Sequence, residues 1–221
     1  MKKAILCAAI TAAIVTSPIA HAYEAGDILV RAGITNVAPN DSSGKVYVDG
    51  SATPYEVSVD SDTQLGLNLV YFYNQNWAVE VLAATPFSHG INLQNAGVAD
   101  GPLAEVSHLP PTISALYFFN GGNNSFQPYA GVGINYTAFF DEEFTADRTA
   151  AGFSDLKLDD SWGLAAQLGF DYQLNERWLI NASVRYIDIS TTANFKVGGA
   201  DSSVDVDIDP FVTSLMVGYK F

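Results

Sequence analysis

The chain has 221 residues, of which 48% are hydrophobic but only 15% charged, and 24 Asp and Glu against 10 Lys and Arg give a formal charge of −14. That acidity repels phosphate backbones and excludes nucleic acid as a partner, while 12% aromatic residues exclude a solvating disordered tail. Beyond residue 22 no apolar run is long enough for a membrane helix, so the apolar surplus must be placed some other way.

The first residues read as a leader. Lys2 and Lys3 form a basic start, Ala4 to Val15 is almost unbroken apolar sequence, and Ala20-His21-Ala22 is a small-x-small cleavage site. We expect a signal peptide at 1–22 and a single domain at 23–221. The apolar stretch is too short for a roughly 30 Å hydrocarbon core. Cleavage removes Cys7, the sole cysteine, and takes the formal charge to about −16. The exported domain then has neither thiols nor disulfides.

From there the repeating signal has period two, in stretches of the length that a tilted transmembrane strand needs. Strand one covers about Asp27 to Gly33, with Ile28, Val30 and Ala32 on one face; strand two, about Gln64 to Tyr73, shows Leu65, Leu67, Leu69 and Tyr71. Strand three sets Trp77, Val79, Val81 and Ala83 against Glu80 and Leu82, and strand four runs from Thr112 to Phe119. Strand five spans Phe126 to Ala138 and strand six Trp162 to Asp171. Strand seven, Trp178 to Tyr186, and strand eight, Phe211 to Phe221, finish the series.

Alternation alone does not name the solvent, because a soluble sandwich alternates too. The connections do. Tyr73 to Asn76, Asn120 to Ser125 and Gln173 to Arg177 are tight, whereas Ile34 to Thr63, Ala84 to Pro111, Phe139 to Ser161 and Ile187 to Pro210 are long. Short and long links alternate, so up-and-down topology gathers every long one at the same end. The expected fold is all-β: an eight-stranded antiparallel up-and-down transmembrane β-barrel with short periplasmic turns and four long extracellular loops.

Aromatic residues should form two girdles. Tyr71, Trp77, Phe119, Phe126, Tyr172, Trp178, Tyr219 and Phe221 fall on the outward face at the short-turn end, and Tyr136, Trp162, Tyr186 and Phe211 at the other. Terminal Phe221 resembles the signal read by the barrel assembly machinery. The expected location is the Gram-negative outer membrane, in contact with lipid and lipopolysaccharide.

On the inward face Asp27, Glu80 and Asp171 balance Arg31, Arg185 and Lys220. Charges in a narrow barrel stay ionised only beside partners, so a paired network is expected, with a selectivity filter as the alternative. Small barrels have interiors about wide enough for side chains, which argues against an aqueous pore. Inward Gly33, Gly66, Gly131, Gly133, Gly163, Gly169 and Gly218 argue the other way, for unfilled volume, with relief of wall curvature as the alternative.

Several segments resemble the outer membrane protein W (OmpW) family across the mature chain. They are Glu24-Ala25-Gly26 with Arg31-Ala32-Gly33, Thr63 to Leu67, Leu82 to Phe87, His108 to Thr112, Pro128 to Tyr136, Ser154-Asp155-Leu156 with Asp160 to Gly163, and Thr191 to Asn194. The resemblance implies a barrel with a largely hydrophobic channel that takes up small hydrophobic molecules and releases them through its wall, the periplasmic end being blocked. It also implies that Leu82 lies at the channel floor. Where an aromatic gate is expected the chain has Arg185, which we expect to plug the floor through Glu80 or Asp171.

Other motifs carry less. His89 and His108, near Asp100 and Glu105, lack the spacing of a zinc site, and no cofactor or metal is expected. Gly198-Gly199-Ala200-Asp201 is a single copy of a calcium-repeat pattern. Asp205, Asp207 and Asp209 alternate with Val204, Val206 and Ile208, as in a barrel wall extended above the membrane. No nucleophile, base and orienting group share a segment, so an enzyme is not expected. Uptake of apolar molecules competes with two other readings: a surface-interaction barrel whose loops meet phage, toxin or host partners, and a small ion-conducting stress pore.

Overall fold

The computed structural model describes residues 23–121 and 124–221. The leader, with Cys7, lies outside the described residues. Eight antiparallel strands close into a barrel: β1 (Ile28–Ala38), β2 (Asp62–Phe72), β3 (Trp77–Ala84), β4 (Thr112–Phe118), β5 (Phe126–Phe144), β6 (Ser161–Gln173), β7 (Trp178–Ile187) and β8 (Phe211–Lys220). Each pairs with its sequence neighbour where a turn or extracellular segment joins them, and β1 pairs with β8 from Leu29↔Lys220 to Ala38↔Phe211. Closure leaves no unpaired edge, as lipid requires, because it cannot hydrogen-bond a free backbone group.

The lipid-facing pattern follows the expected register. Leu65, Leu67, Leu69, Val132, Ile134, Leu164, Leu168, Leu215 and Val217 point outward and are exposed. At the short-turn end Trp77 packs on Tyr117 at 5.0 Å, and Trp178 on Tyr219 at 4.9 Å. At the other end Tyr136 meets Trp162 at 4.8 Å and Tyr186 meets Phe211 at 5.7 Å. Two of the short turns share one device: Asn74 Oδ1 accepts the N–H groups of Asn76 and Trp77, and Asn175 Oδ1 those of Arg177 and Trp178. An Asn side chain that mimics a backbone turn makes such tight links inexpensive.

The four long connections are not irregular loops. They build two sheets that carry the wall beyond the outer girdle. In one, the top of β5 pairs with Gly101–Leu109, then Phe87–Gln94, then Glu56–Val59. In the other, Phe153–Leu158, Ser190–Val197, Ala200–Asp207, Tyr47–Val48 and Ser51–Ala52 follow in order, with Ser42–Ser43 beside Ala200–Asp207. Gly198 and Gly199 both have positive φ, 59° and 87°, and form the two-residue turn between the strands of a hairpin. That position explains the glycine pair without calcium, since primed hairpin turns need positive φ at both central residues. Lys157 Nζ meets Glu142 at 2.9 Å where the two sheets adjoin, and Arg148 ties the extracellular tips by donating to the carbonyls of Ala99 and Pro102.

The inward glycines overturn one expectation, because the space beside them is filled. A Cβ on Gly169 would lie 2.5 Å from the Tyr129 ring and hydroxyl, and one on Gly218 2.6 Å from the Leu179 side chain. Leu116 and Gln167 occupy the space at Gly131, and Thr35 and Met216 that at Gly66. Glycine here gives room to a neighbour's large side chain, and the membrane section is packed.

Candidate functional site: a closed barrel beneath an apolar chamber

The lumen is layered along the barrel axis. At the periplasmic end Tyr23 reaches into the barrel, stacks on Phe72 at a centroid distance of 4.0 Å and touches Phe118 at 5.2 Å. With Leu29, Val70, Leu116, Tyr129 and Leu179 it forms a buried plug. Tyr23 was legible only as the first residue after the leader. An aromatic ring directly before the first strand is the signal that would have marked it.

Above the plug lies the charge network. Arg31 Nη1 donates to Glu80 Oε2 at 2.8 Å and Arg31 Nη2 to Asp171 Oδ2 at 2.6 Å. Arg185 Nη2 donates to Glu80 Oε1 at 2.6 Å and to Gln167 Oε1 at 2.6 Å. Glu80 accepts further bonds from Asn68 and Gln167, and Asp171 from Tyr23 and Asn181. These groups come from β1, β2, β3, β6 and β7, so the network crosses the lumen. Arg31 and Asp171 are 0% exposed, Glu80 1% and Arg185 2%, which leaves no aqueous path beside them. Arg185 binds Glu80 and not Asp171. Lys220 stands apart from the network: its Nζ lies 3.4 Å from Asp27 in a half-buried pair at the barrel mouth.

Leu82 points into the lumen one pleat above Glu80 and is buried. Over it Val37, Phe87, Ala165, Ile187, Ile189 and Val212 form an apolar layer. The chamber opens above that layer, between the two extracellular sheets. Its wall is built by Val57, Ile91, Val106, Phe144, Phe195 and Val206, among others, and it encloses a cavity volume of about 70 Å³. Leu82 does not line it. The channel implied by the resemblance is thus divided, apolar outside the membrane and polar within it.

The chamber residues carry a weaker signal in the sequence than the membrane strands do. Their signal was present as short alternations, such as Val57 with Val59 and Ile91 with Leu93, facing inward where the membrane strands face apolar residues outward. Only the segment from Val204 to Asp209 was read in that way; Val204 and Val206 are buried, and Asp205 and Asp207 face solvent. The polar residues that line the chamber are His89, His108 and Thr191. His89 and His108 stand Nε2 to Nε2 at 2.9 Å. Burial lowers the His89 pKa, and burial together with His89 pushes His108 down to about 3. Asp100 and Glu105 lie elsewhere, Asp100 capping the Ala96 N–H and Glu105 accepting from Ser88.

A closed eight-stranded barrel with aromatic girdles, short turns at one end and sheets at the other defines an outer-membrane β-barrel. The chain belongs to the OmpW family, whose pattern it matches over residues 24–221. It is 51% identical to outer membrane protein W of Vibrio cholerae serotype O1 over the full length of both chains. The crystal structure of OprG from Pseudomonas aeruginosa superposes with a TM-score of 0.87 at 47% identity, covering 90% of this chain and 98% of that one. A solid-state NMR structure of AlkL in DMPC bilayers gives 0.69 at 26% identity, covering 100% and 97%. The protein is therefore a Gram-negative outer-membrane barrel.

Proposed function

We propose that the barrel takes up small hydrophobic molecules by passive binding in the extracellular chamber and releases them sideways into the membrane. The observation that carries this reading is the position of an almost wholly apolar chamber directly above a lumen closed by paired charges. A molecule that leaves water for the chamber gains roughly 25 cal/mol for each Å² of apolar surface it buries. Crossing the Arg31–Glu80–Arg185 layer would break buried ion pairs, each costing about 3–5 kcal/mol, so the axial route is closed to it.

The wall supplies a side exit. Between β3 and β4 the ladder stops at Leu82↔Thr112 and resumes at Phe87↔His108. Pro86, Pro110 and Pro111 fall in that gap and have no N–H to pair across it. Asn135 Nδ2 occupies the Pro110 and Pro111 carbonyls instead, so the gap parts without breaking ladder bonds.

Filling the chamber tests the reading. Ala104→Trp places an indole into the cavity from a buried wall position. Cells that lack the native protein and carry the variant should lose facilitated uptake of an apolar fluorogenic compound, while heat-modifiable gel migration shows a folded barrel. Undiminished uptake by the folded variant would refute the reading.

A further inference from the structure

The two chamber histidines fix each other's protons. His89 Nδ1 lies 2.6 Å from the backbone carbonyl of Asp60, an acceptor, so Nδ1 must carry the hydrogen. In the neutral ring His89 Nε2 is then a bare acceptor. The 2.9 Å contact between the two Nε2 atoms needs one hydrogen, which must come from His108. His108 Nδ1 is therefore left as a lone pair, on a side chain 5% exposed, and no described residue donates to it. Phe87 and Phe139 lie beside the His108 ring at 5.5 and 5.9 Å and offer no hydrogen.

An unpaired buried acceptor on a residue that lines an apolar chamber can select among the ligands that reach it. We infer that the chamber is built for small apolar molecules ending in a hydrogen-bond donor, the alcohols and phenols, whose O–H completes the His108 imidazole. The inference rests on the uptake reading and narrows its substrate class. A plain hydrocarbon leaves the lone pair unmatched, and an ether or ketone brings a second acceptor against it. Donor and acceptor analogues of equal length should therefore separate where an oily pocket would treat them alike.

The test uses 1-octanol, 1-methoxyheptane and nonane, which share chain length, added to the purified full-length barrel in lipid nanodiscs. Binding is read by displacement of a solvatochromic fluorophore from the chamber and corrected for partition into lipid. Octanol should bind about tenfold more tightly than the ether, the discrimination that one unmatched buried acceptor produces. In the same samples ¹⁵N spectra should show His89 as the Nδ1–H tautomer and His108 as the Nε2–H tautomer, with the His108 Nδ1 signal moving on addition of octanol and not of nonane. His108→Leu should abolish the preference and keep nonane binding. Equal binding of all three ligands overturns the donor inference and leaves uptake standing, as does the opposite tautomer assignment. Absence of binding by any of the three overturns both.

Discussion

Glu80 joins the two arginines, so removing its charge is the sharpest perturbation of the closed lumen. Glu80→Gln keeps the shape of the side chain but substitutes an NH₂ for one oxygen among four donors, those of Arg31, Asn68, Gln167 and Arg185 at 2.6 to 2.9 Å. Arg31 then keeps Asp171, while the buried Arg185 guanidinium is left with no carboxylate partner. Breaking a buried pair by deleting one partner costs about 3–5 kcal/mol. With a urea slope near 2 kcal/mol/M, the unfolding midpoint in vesicles should fall by about 2 M. Trp77, Trp162 and Trp178, all on the lipid face, report unfolding through their fluorescence. Adding Arg185→Met to Glu80→Gln restores the charge balance with the Arg31–Asp171 pair intact, so the double variant should be more stable than the single. Lys157→Met is the control, because that lysine is 77% exposed beside Glu142 and should cost less than about 1 kcal/mol. A Glu80→Gln loss no greater than the control, or a double variant that shows both losses in full, would refute the network as the seal.

Arg185→Ala removes the guanidinium that links Glu80 and Gln167 across the lumen, and single-channel recording should find a higher conductance than in the parent protein; an unchanged conductance refutes Arg185 as part of the seal. Gly169→Ala drives a methyl into Tyr129, whose hydroxyl accepts from Asn181, and should lower stability by about 1–3 kcal/mol in the same urea assay. Acid should loosen the chamber before the barrel. Because burial lowers the pKa of His89 and His108, the unfolded segments bind protons that the folded pair refuses. Their contribution is complete above about pH 6.5 and is lost as pH falls below it, for His108 down to its folded value of about 3, by up to about 1.4 kcal/mol per pH unit per imidazole. Asp60 and Asp62 are the charged groups facing the pair and moderate the loss. Amide exchange of Phe87–Gln94 and Gly101–Leu109, corrected for intrinsic rate, should accelerate at about pH 5 relative to pH 7.5, and equal protection at the two pH values contradicts the reasoning.

All eight membrane strands were legible because lipid imposes a single rule on their outward face. That rule stops at the outer girdle. β1 shows how: Ile34 still faces lipid, but Asn36 turns outward and Val37 inward, and Val37 is buried against the floor of the chamber. The alternation continues while its polarity inverts, water replacing lipid outside and apolar side chains replacing charges within. The expected strand ends at Gly33, one residue short of the last outward apolar side chain, Ile34, whereas the strand runs to Ala38. The same inversion hid the two extracellular sheets among the long connections. The histidine pair was unreadable for another reason, since β-ladder register brings His89 and His108 together and no spacing in the chain announces it.

Charge balance by face carries the information that hydrophobicity lost. Inside the membrane section the acids and bases match, Glu80 and Asp171 with Arg31 and Arg185. Every acidic residue apart from Glu24, Asp27, Glu80, Asp171 and Glu176 lies in the extracellular half, where only Lys45, Arg148, Lys157 and Lys196 oppose them. Water tolerates such an excess at a surface. A dry interior does not, because each unmatched charge there would cost several kcal/mol. An open aqueous pore would have been free to carry either sign in excess, so equal numbers on an inward face indicate closure. Arg31 Nε, Arg185 Nε and Asn68 Oδ1 still find no partner among the described residues, and a network with such gaps contributes little net stability. Its arrangement across the barrel is better explained by what it blocks, which is the axial route from the chamber to the periplasm.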